Sequence, residues 1–182
     1  MEKTKTLPST WRSSIQQLLE QWQTRQNRQP RIAILGVGNT LRSDDAAGVL
    51  VAQRLADTRL FPGPASVLVL EAGHAPENST AELRHFAPDL LILVDAADLN
   101  EAPGSVRWID IDEIDSMSAS THTLPLSILA RYLTLELGCS VHLLGIQPRS
   151  VDVGEAVCMK VLQSVNEIVD GLIECIYFPV PN

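Results

Sequence analysis

The strongest constraint on this chain comes from short, unbroken apolar runs. Residues 31–36 (RIAILG), 66–71 (SVLVLE) and 89–95 (DLLILVD) each hold about one strand's length of mostly aliphatic side chains. A strand with one wet face alternates apolar and polar residues. A run that is apolar at nearly every position must be covered on both faces. Between the runs, apolar residues recur every three or four positions, the helical period. Residues 45–56 put Val49, Ala52, Leu55 and Ala56 on one side. Residues 77–86 and 124–136 predict further helices, the latter with Pro125 in its first turn. Residues 152–176 predict one long helix through Val153, Val157, Val161, Val165, Ile168, Leu172 and Ile176. Residues 106–109, after a Pro103–Gly104 turn, predict an edge strand, and 140–144 a last strand. This alternation predicts a three-layer α/β/α fold: a mostly parallel five-stranded sheet with helices on both faces.

At 182 residues the chain has room for one such domain and an appendage. A domain of this size buries roughly 70% of its unfolded surface, enough for a core without covalent staples. Residues 1–30 read as an N-terminal amphipathic helical extension, and 31–182 as the main domain. Within the extension, residues 9–26 line up Trp11, Ile15, Leu18, Leu19 and Trp22, with Ser9 or Thr10 placed to cap. Such a face either docks a partner or folds back on the domain.

Charge divides along the same boundary. Residues 1–31 carry six basic and two acidic residues, whereas 32–182 carry eight and twenty, which together give the net −8. An acidic body argues against nucleic acid as the main partner. No uncharged apolar run is long enough to span a membrane, and residues 1–12 lack an apolar signal core. Cys139, Cys158 and Cys175 form no Cys-x-x-Cys pair. Their odd number and spacing favour buried thiols and a cytoplasmic location over disulfides or a four-cysteine zinc site.

In parallel sheets, ligands sit beyond the carboxyl ends of the strands. The loop after the first strand reads Gly36-Val37-Gly38-Asn39-Thr40-Leu41-Arg42-Ser43-Asp44-Asp45. Its Gly-x-Gly hints at a dinucleotide fold, but Leu41 occupies the third glycine position. Two carboxylates at a helix start would repel a pyrophosphate, while the helix dipole keeps them ionised. Either could also be a plain N-cap. Asp95 ends the third strand, where a carboxylate needs a partner. Beside Asp45 it makes an acidic pair, which attracts a cation or shares a proton. His122 lies in a small, polar stretch before a helix, and two carboxylates with one imidazole suit a first-row metal such as nickel or zinc. Gln147 is expected to face the same cleft, and Asn39 to hold the first loop through its side chain. His74 is a candidate neighbour, while His85 and His142 sit inside elements.

The segments GVGNTLRSDDAAG (36–48), GHAPENS (73–79), LLILVDAADLNEAPGSVRWIDIDEI (90–114), STHTLPL (120–126) and LLGIQP (143–148) together resemble the [NiFe]-hydrogenase maturation endopeptidases, most closely the branch serving formate-hydrogenlyase-type enzymes. The resemblance covers residues from about 31 to 176. It implies a phosphorylase/hydrolase-like fold in which one strand, 106–109, runs antiparallel. It further implies an aspartyl-type endopeptidase acting without nucleotide. Such an enzyme removes the C-terminal extension of the precursor large subunit after nickel insertion, with that nickel as the recognition signal. The family's metal-contacting and catalytic positions match Asp45, Asp95 and His122. The family's usual Gly-Asp-Asp-Gly is Ser43-Asp44-Asp45-Ala46 here, and Ala46 is expected to be helical. Two other readings also use acidic strand ends. A phosphoacceptor signalling domain wants a Lys after the last strand, where this chain has Gln147-Pro148. A nucleotide-binding module is weakened by Leu41.

Overall fold

The computed structural model describes residues 10–58, 66–110, 113 and 125–177. Its elements run α1 (Trp11–Gln26), β1 (Ile32–Val37), α2 (Ala47–Asp57), β2 (Val67–Gly73), α3 (Thr80–Phe86), β3 (Leu90–Ala96), β4 (Val106–Asp110), α4 (Leu126–Leu137), β5 (Ser140–Ile146) and α5 (Met159–Tyr177). Short 3-10 turns over Ser43–Ala46 and Pro76–Ser79 lead into α2 and α3.

The sheet has the order β2-β1-β3-β5-β4, and every pair is parallel except β4 with β5. The three-layer architecture and the antiparallel β4 at the edge both agree with the sequence reading. The apolar runs owe their continuity to two cores. On β1, Ile32 and Ile34 face a layer made by α2, α5 and Ile15 of α1, while Ala33, Leu35 and Val37 face α3 and α4. Strand β3 divides the same way, Leu90, Ile92 and Val94 to one layer and Leu91 and Leu93 to the other. With side chains alternating at period two, both faces must be apolar for both layers to bury them.

Helix α1 is capped by Thr10, whose hydroxyl accepts the Ser13 amide, and it lies against α5. Ile15 is fully buried, and Trp11 covers Gly171 so closely that a methyl group there would overlap the indole. The extension's apolar face is thus turned onto the domain. Arg28, just after α1, forks onto Asp89 at 2.7 and 2.8 Å, and the Arg31 amide donates to the same carboxylate at 2.7 Å. Desolvation pushes the Asp89 carboxyl up, but Arg28 and the Arg31 amide outweigh it and hold the group below its ordinary value. The join between extension and domain is therefore pinned by a charge-assisted fork.

The three cysteines are free. Burial pushes the Cys139 thiol up to about 11 and raises Cys175, as expected for inert core thiols. No helix among the described residues is long and apolar enough to cross a membrane.

The long C-terminal helix is shorter than the periodicity predicts. It begins at Met159 rather than at residue 152. Residues 149–158 instead form a strap of irregular backbone, turned by Gly154 at φ +82°. The spacing of Val153, Val157 and Val161 imitates a helix, but amides of the strap are bound by Asp44.

Candidate active site

Strand β1 is flanked by β2 on one side and β3 on the other, so the loops after β1 and β3 leave the sheet at the point where strand order reverses. A crevice opens at such a switch point. The chain brings two acidic positions there, Asp45 after β1 and Asp95 near the end of β3.

Two glycines fix how close the first loop comes. Gly48, in the first turn of α2, fits where a methyl group would overlap the carbonyl oxygens of both Val37 and Val94. The helix start is thereby wedged between the carboxyl ends of β1 and β3. Gly38 adopts φ +136°, and a methyl group there would overlap the Asp45 carbonyl. Its amide donates to Gly73 at 2.9 Å, tying the β1 loop to the end of β2. The 3-10 turn carrying Asp45 consequently packs on β3, whose residue after Val94 is Asp95.

Both carboxylates are 2% exposed. Asp45 Oδ2 accepts the Asn39 amide at 2.9 Å, and Asp95 Oδ1 accepts the Ala96 amide at 2.9 Å. Backbone amides hold each carboxylate in one orientation. Asn39 holds its own loop through Oδ1, which accepts the Leu41 amide at 2.9 Å, as read from the sequence. Two buried, oriented carboxylates are a hard-oxygen half of a metal site. Among the described residues no three His, Cys, Asp or Glu side chains converge on one centre. The third candidate, His122, lies outside the described residues. Two carboxylates completed by an imidazole would suit a first-row metal such as nickel or zinc.

Asp44 does something different. Adjacent residues of a 3-10 turn point about 120° apart, and the two aspartates take different partners. Asp44 is fully buried and turns toward the strap. Its Oδ2 accepts the amides of Arg149 at 2.7 Å and Ser150 at 3.3 Å, and its Oδ1 accepts that of Cys158 at 2.7 Å. Arg42 Nε donates to the Val151 carbonyl at 3.1 Å, and the Gly154 amide to the Leu41 carbonyl at 3.0 Å. One carboxylate of the Asp-Asp pair is thus a clamp on the irregular segment that the sequence reading took for helix. The signal available was Gly154, set between two valines of an otherwise regular pattern.

The departure from Gly-Asp-Asp-Gly is harmless at Ala46, as expected, and strained at Ser43. Ala46 is helical at φ −70° and unstrained. Ser43 is the strained position, at φ +41° and 2% exposed, and its hydroxyl donates to the Ala156 carbonyl at 3.2 Å.

Gln147 does not project into the cleft. Its Oε1 accepts the amides of Leu99 at 2.7 Å and Glu101 at 3.2 Å, so it braces the loop that follows Asp95. His74 is exposed and lines an open depression of about 400 Å³ beside Asn39, Gln53, Glu71 and Asn78. His142 stacks on Trp108 and meets Asp110 at the far edge of the sheet, and His85 is exposed on α3.

Comparison with known proteins agrees with this geometry. A family model described as hydrogenase maturation protease matches residues 49–177. The hydrogenase 3 maturation protease of Escherichia coli K12 is 39% identical over 116 residues, covering 63% of this chain and 71% of that protein. A crystal structure of a [NiFe] hydrogenase maturation protease from Thermococcus kodakarensis KOD1 superposes with a TM-score of 0.72 at 35% identity, over 80% of this chain and 92% of that one. The solution structure of an Escherichia coli endopeptidase of the same type gives 0.68 at 34% identity, over 76% and 86%.

Proposed function

Given that this chain belongs to the hydrogenase maturation protease family, an endopeptidase family that processes the hydrogenase large subunit, we propose that Asp45, Asp95 and His122 perform that processing here by gripping nickel already seated in the precursor. The observation that carries the reading is the wedge at Gly48, which holds the turn bearing buried Asp45 against β3, the strand that carries buried Asp95. Nickel belongs to the substrate and reports that its insertion is complete. The enzyme's own residues hold and orient it. Asn39 and Ala96 fix the two carboxylates, and His122 supplies the nitrogen donor. The bond to be cut is then fixed beside the metal, where positioning alone contributes much of the rate.

Cleavage adds a water oxygen to the scissile carbonyl carbon and breaks the carbon–nitrogen bond. The water's protons are shared between the new amine and carboxylate. A metal beside the carbonyl polarises it or lowers the pKa of a bound water to about 7. A carboxylate of the pair can take the proton released by the water. The phosphoacceptor and nucleotide readings fit less well. Asp44 and Asp45 fill the approach to the α2 N-terminus with negative charge, and Gln147 braces a loop where a phosphoacceptor domain needs a lysine. We place the reaction in the cytoplasm, supported by three free cysteines.

The test mixes this protein with precursor large subunit, loaded with nickel or not, and follows subunit mass. Only the loaded precursor should shorten. Asp45→Asn, Asp95→Asn and His122→Ala should each slow cleavage more than about 100-fold, beyond the cost of losing an outer partner, with melting curves still cooperative. Full activity in any one variant removes that residue from the site, and equal cleavage of nickel-free precursor removes nickel as the signal.

A further inference from the structure

Six large hydrophobic side chains among the described residues are exposed, and they fall in two places. Ile128, Tyr132 and Leu135 lie on α4. Leu41, Val153 and Met159 lie on or beside the loop and strap stitched together at the site, exposed by 72, 73 and 69%. Scattered surface leucines mean little, but exposed apolar residues on a hydrogen-bonded backbone beside a reaction centre form a patch of the kind that marks interaction sites.

The rigidity is specific. Leu41 is fixed on one side by Asn39, whose own amide positions Asp45, and on the other by the bond from the Gly154 amide to its carbonyl. Val153 directly precedes Gly154. Met159 directly follows Cys158, which Asp44 clamps. The strap therefore presents its apolar residues at the cost of a buried carboxylate, although its backbone has no regular structure. Ordering a loop before binding removes that entropy from the binding step.

We infer that Leu41, Val153 and Met159 form a preformed apolar ridge on which the folded precursor large subunit docks, an apolar side chain near the scissile bond seating between loop and strap. The inference rests on the functional reading above and names how the same site selects its substrate. The occupant follows from continuity, because Leu41 sits four residues before Asp45 in one hydrogen-bonded loop. A bond brought to Asp45 therefore lies within one loop of this ridge. Asp44 acts as a positioning residue, since it touches the strap and not the substrate.

The test is steady-state processing of nickel-loaded precursor by Leu41→Ser, Val153→Ser and the double variant, with Leu135→Ser on α4 as reference. Each ridge change should raise KM roughly tenfold, as expected for a central contact residue, and leave kcat within about twofold. Leu135→Ser should move neither. Leu41→Lys, which cannot disturb a core it does not enter, should raise KM further. Unchanged KM in the ridge variants, a fall confined to kcat, or an equal rise in Leu135→Ser would overturn the ridge while leaving the functional reading intact. Failure of the wild-type protein to shorten the precursor would overturn both.

Discussion

Asp44 and Cys158 stand 114 positions apart in sequence, and a carboxylate oxygen of the first accepts the amide of the second at 2.7 Å. With the amides of Arg149 and Ser150 on its other oxygen, this residue joins the β1–α2 loop to the strap. Hydrogen bonds to a carboxylate are stronger than their neutral counterparts.

Asp44→Ala should therefore release the strap. Stranding its partners costs about 2–4 kcal/mol after partial rehydration, and Tm should fall by roughly 5–15 °C for a chain of this size. Hydrogen exchange locates the loss. The amides of Arg149, Ser150 and Cys158 should exchange faster, while those of β1 and β3 stay protected. Uniform acceleration across the sheet would make Asp44 a general core residue instead.

Ser43 offers a test of backbone strain. At φ +41° a side chain costs about 1 kcal/mol, which glycine avoids. Ser43→Gly also loses the bond to Ala156 and gains freedom when unfolded, so stability should stay within about 1 kcal/mol of wild type. Ser43→Val should cost more than about 2 kcal/mol, because branching at this φ is a true outlier. Denaturant melts of the two variants decide it, and a tolerated valine would refute the strain.

The acid sensitivity of the fold should track His142. Burial against Trp108 lowers its pKa, and the nearby Asp110 only partly restores it. The unfolded chain then binds the proton more readily than the folded one. Stability is complete above the unfolded value of about 6.5 and is lost as pH falls through the interval below it. Asp89, held below its ordinary value, adds a loss in the same direction at lower pH. Urea melts at pH 7.5 and 5.5 should show the weaker protein at 5.5. His142→Phe, which keeps the stacking, should show a smaller difference, and an unchanged difference would assign the effect elsewhere.

Added nickel should raise Tm in a concentration-dependent way, since it binds the folded state. The rise should vanish in Asp95→Asn. In chelator that variant should melt at or above wild type, because it removes repulsion between carboxylates. An equal metal shift in both proteins would place the ion away from Asp95.

The sheet was legible in the sequence because burial on both faces leaves no polar residue in β1 or in β3 before Asp95. The pair Asp45 and Asp95 was legible because Asp95 ends one such run and Asp45 lies in the loop that follows the other, at the start of α2. Other features were hidden because they depend on contacts distant in sequence. Val153 and Val157 continue a helical period, yet the strap is set by Asp44 more than 100 positions earlier. Gln147 stands where a cleft residue should, yet two amides of the β3–β4 connection capture it. Ser43 looked innocuous beside Ala46 until the loop's φ angles were known.

The wedge of Gly48 between the carbonyls of Val37 and Val94 has one more consequence. The interval between the two carboxylates is gauged by peptide resting on peptide, not by the size of any aliphatic side chain. Exchanges among core residues such as Val51, Leu55 or Ile92 can make the protein melt earlier or later without resetting that interval. Heat resistance and metal spacing are thus separate dials in this architecture. A lineage can move to a hotter or colder habitat by repacking its interior, and leave the reaction centre at its original setting.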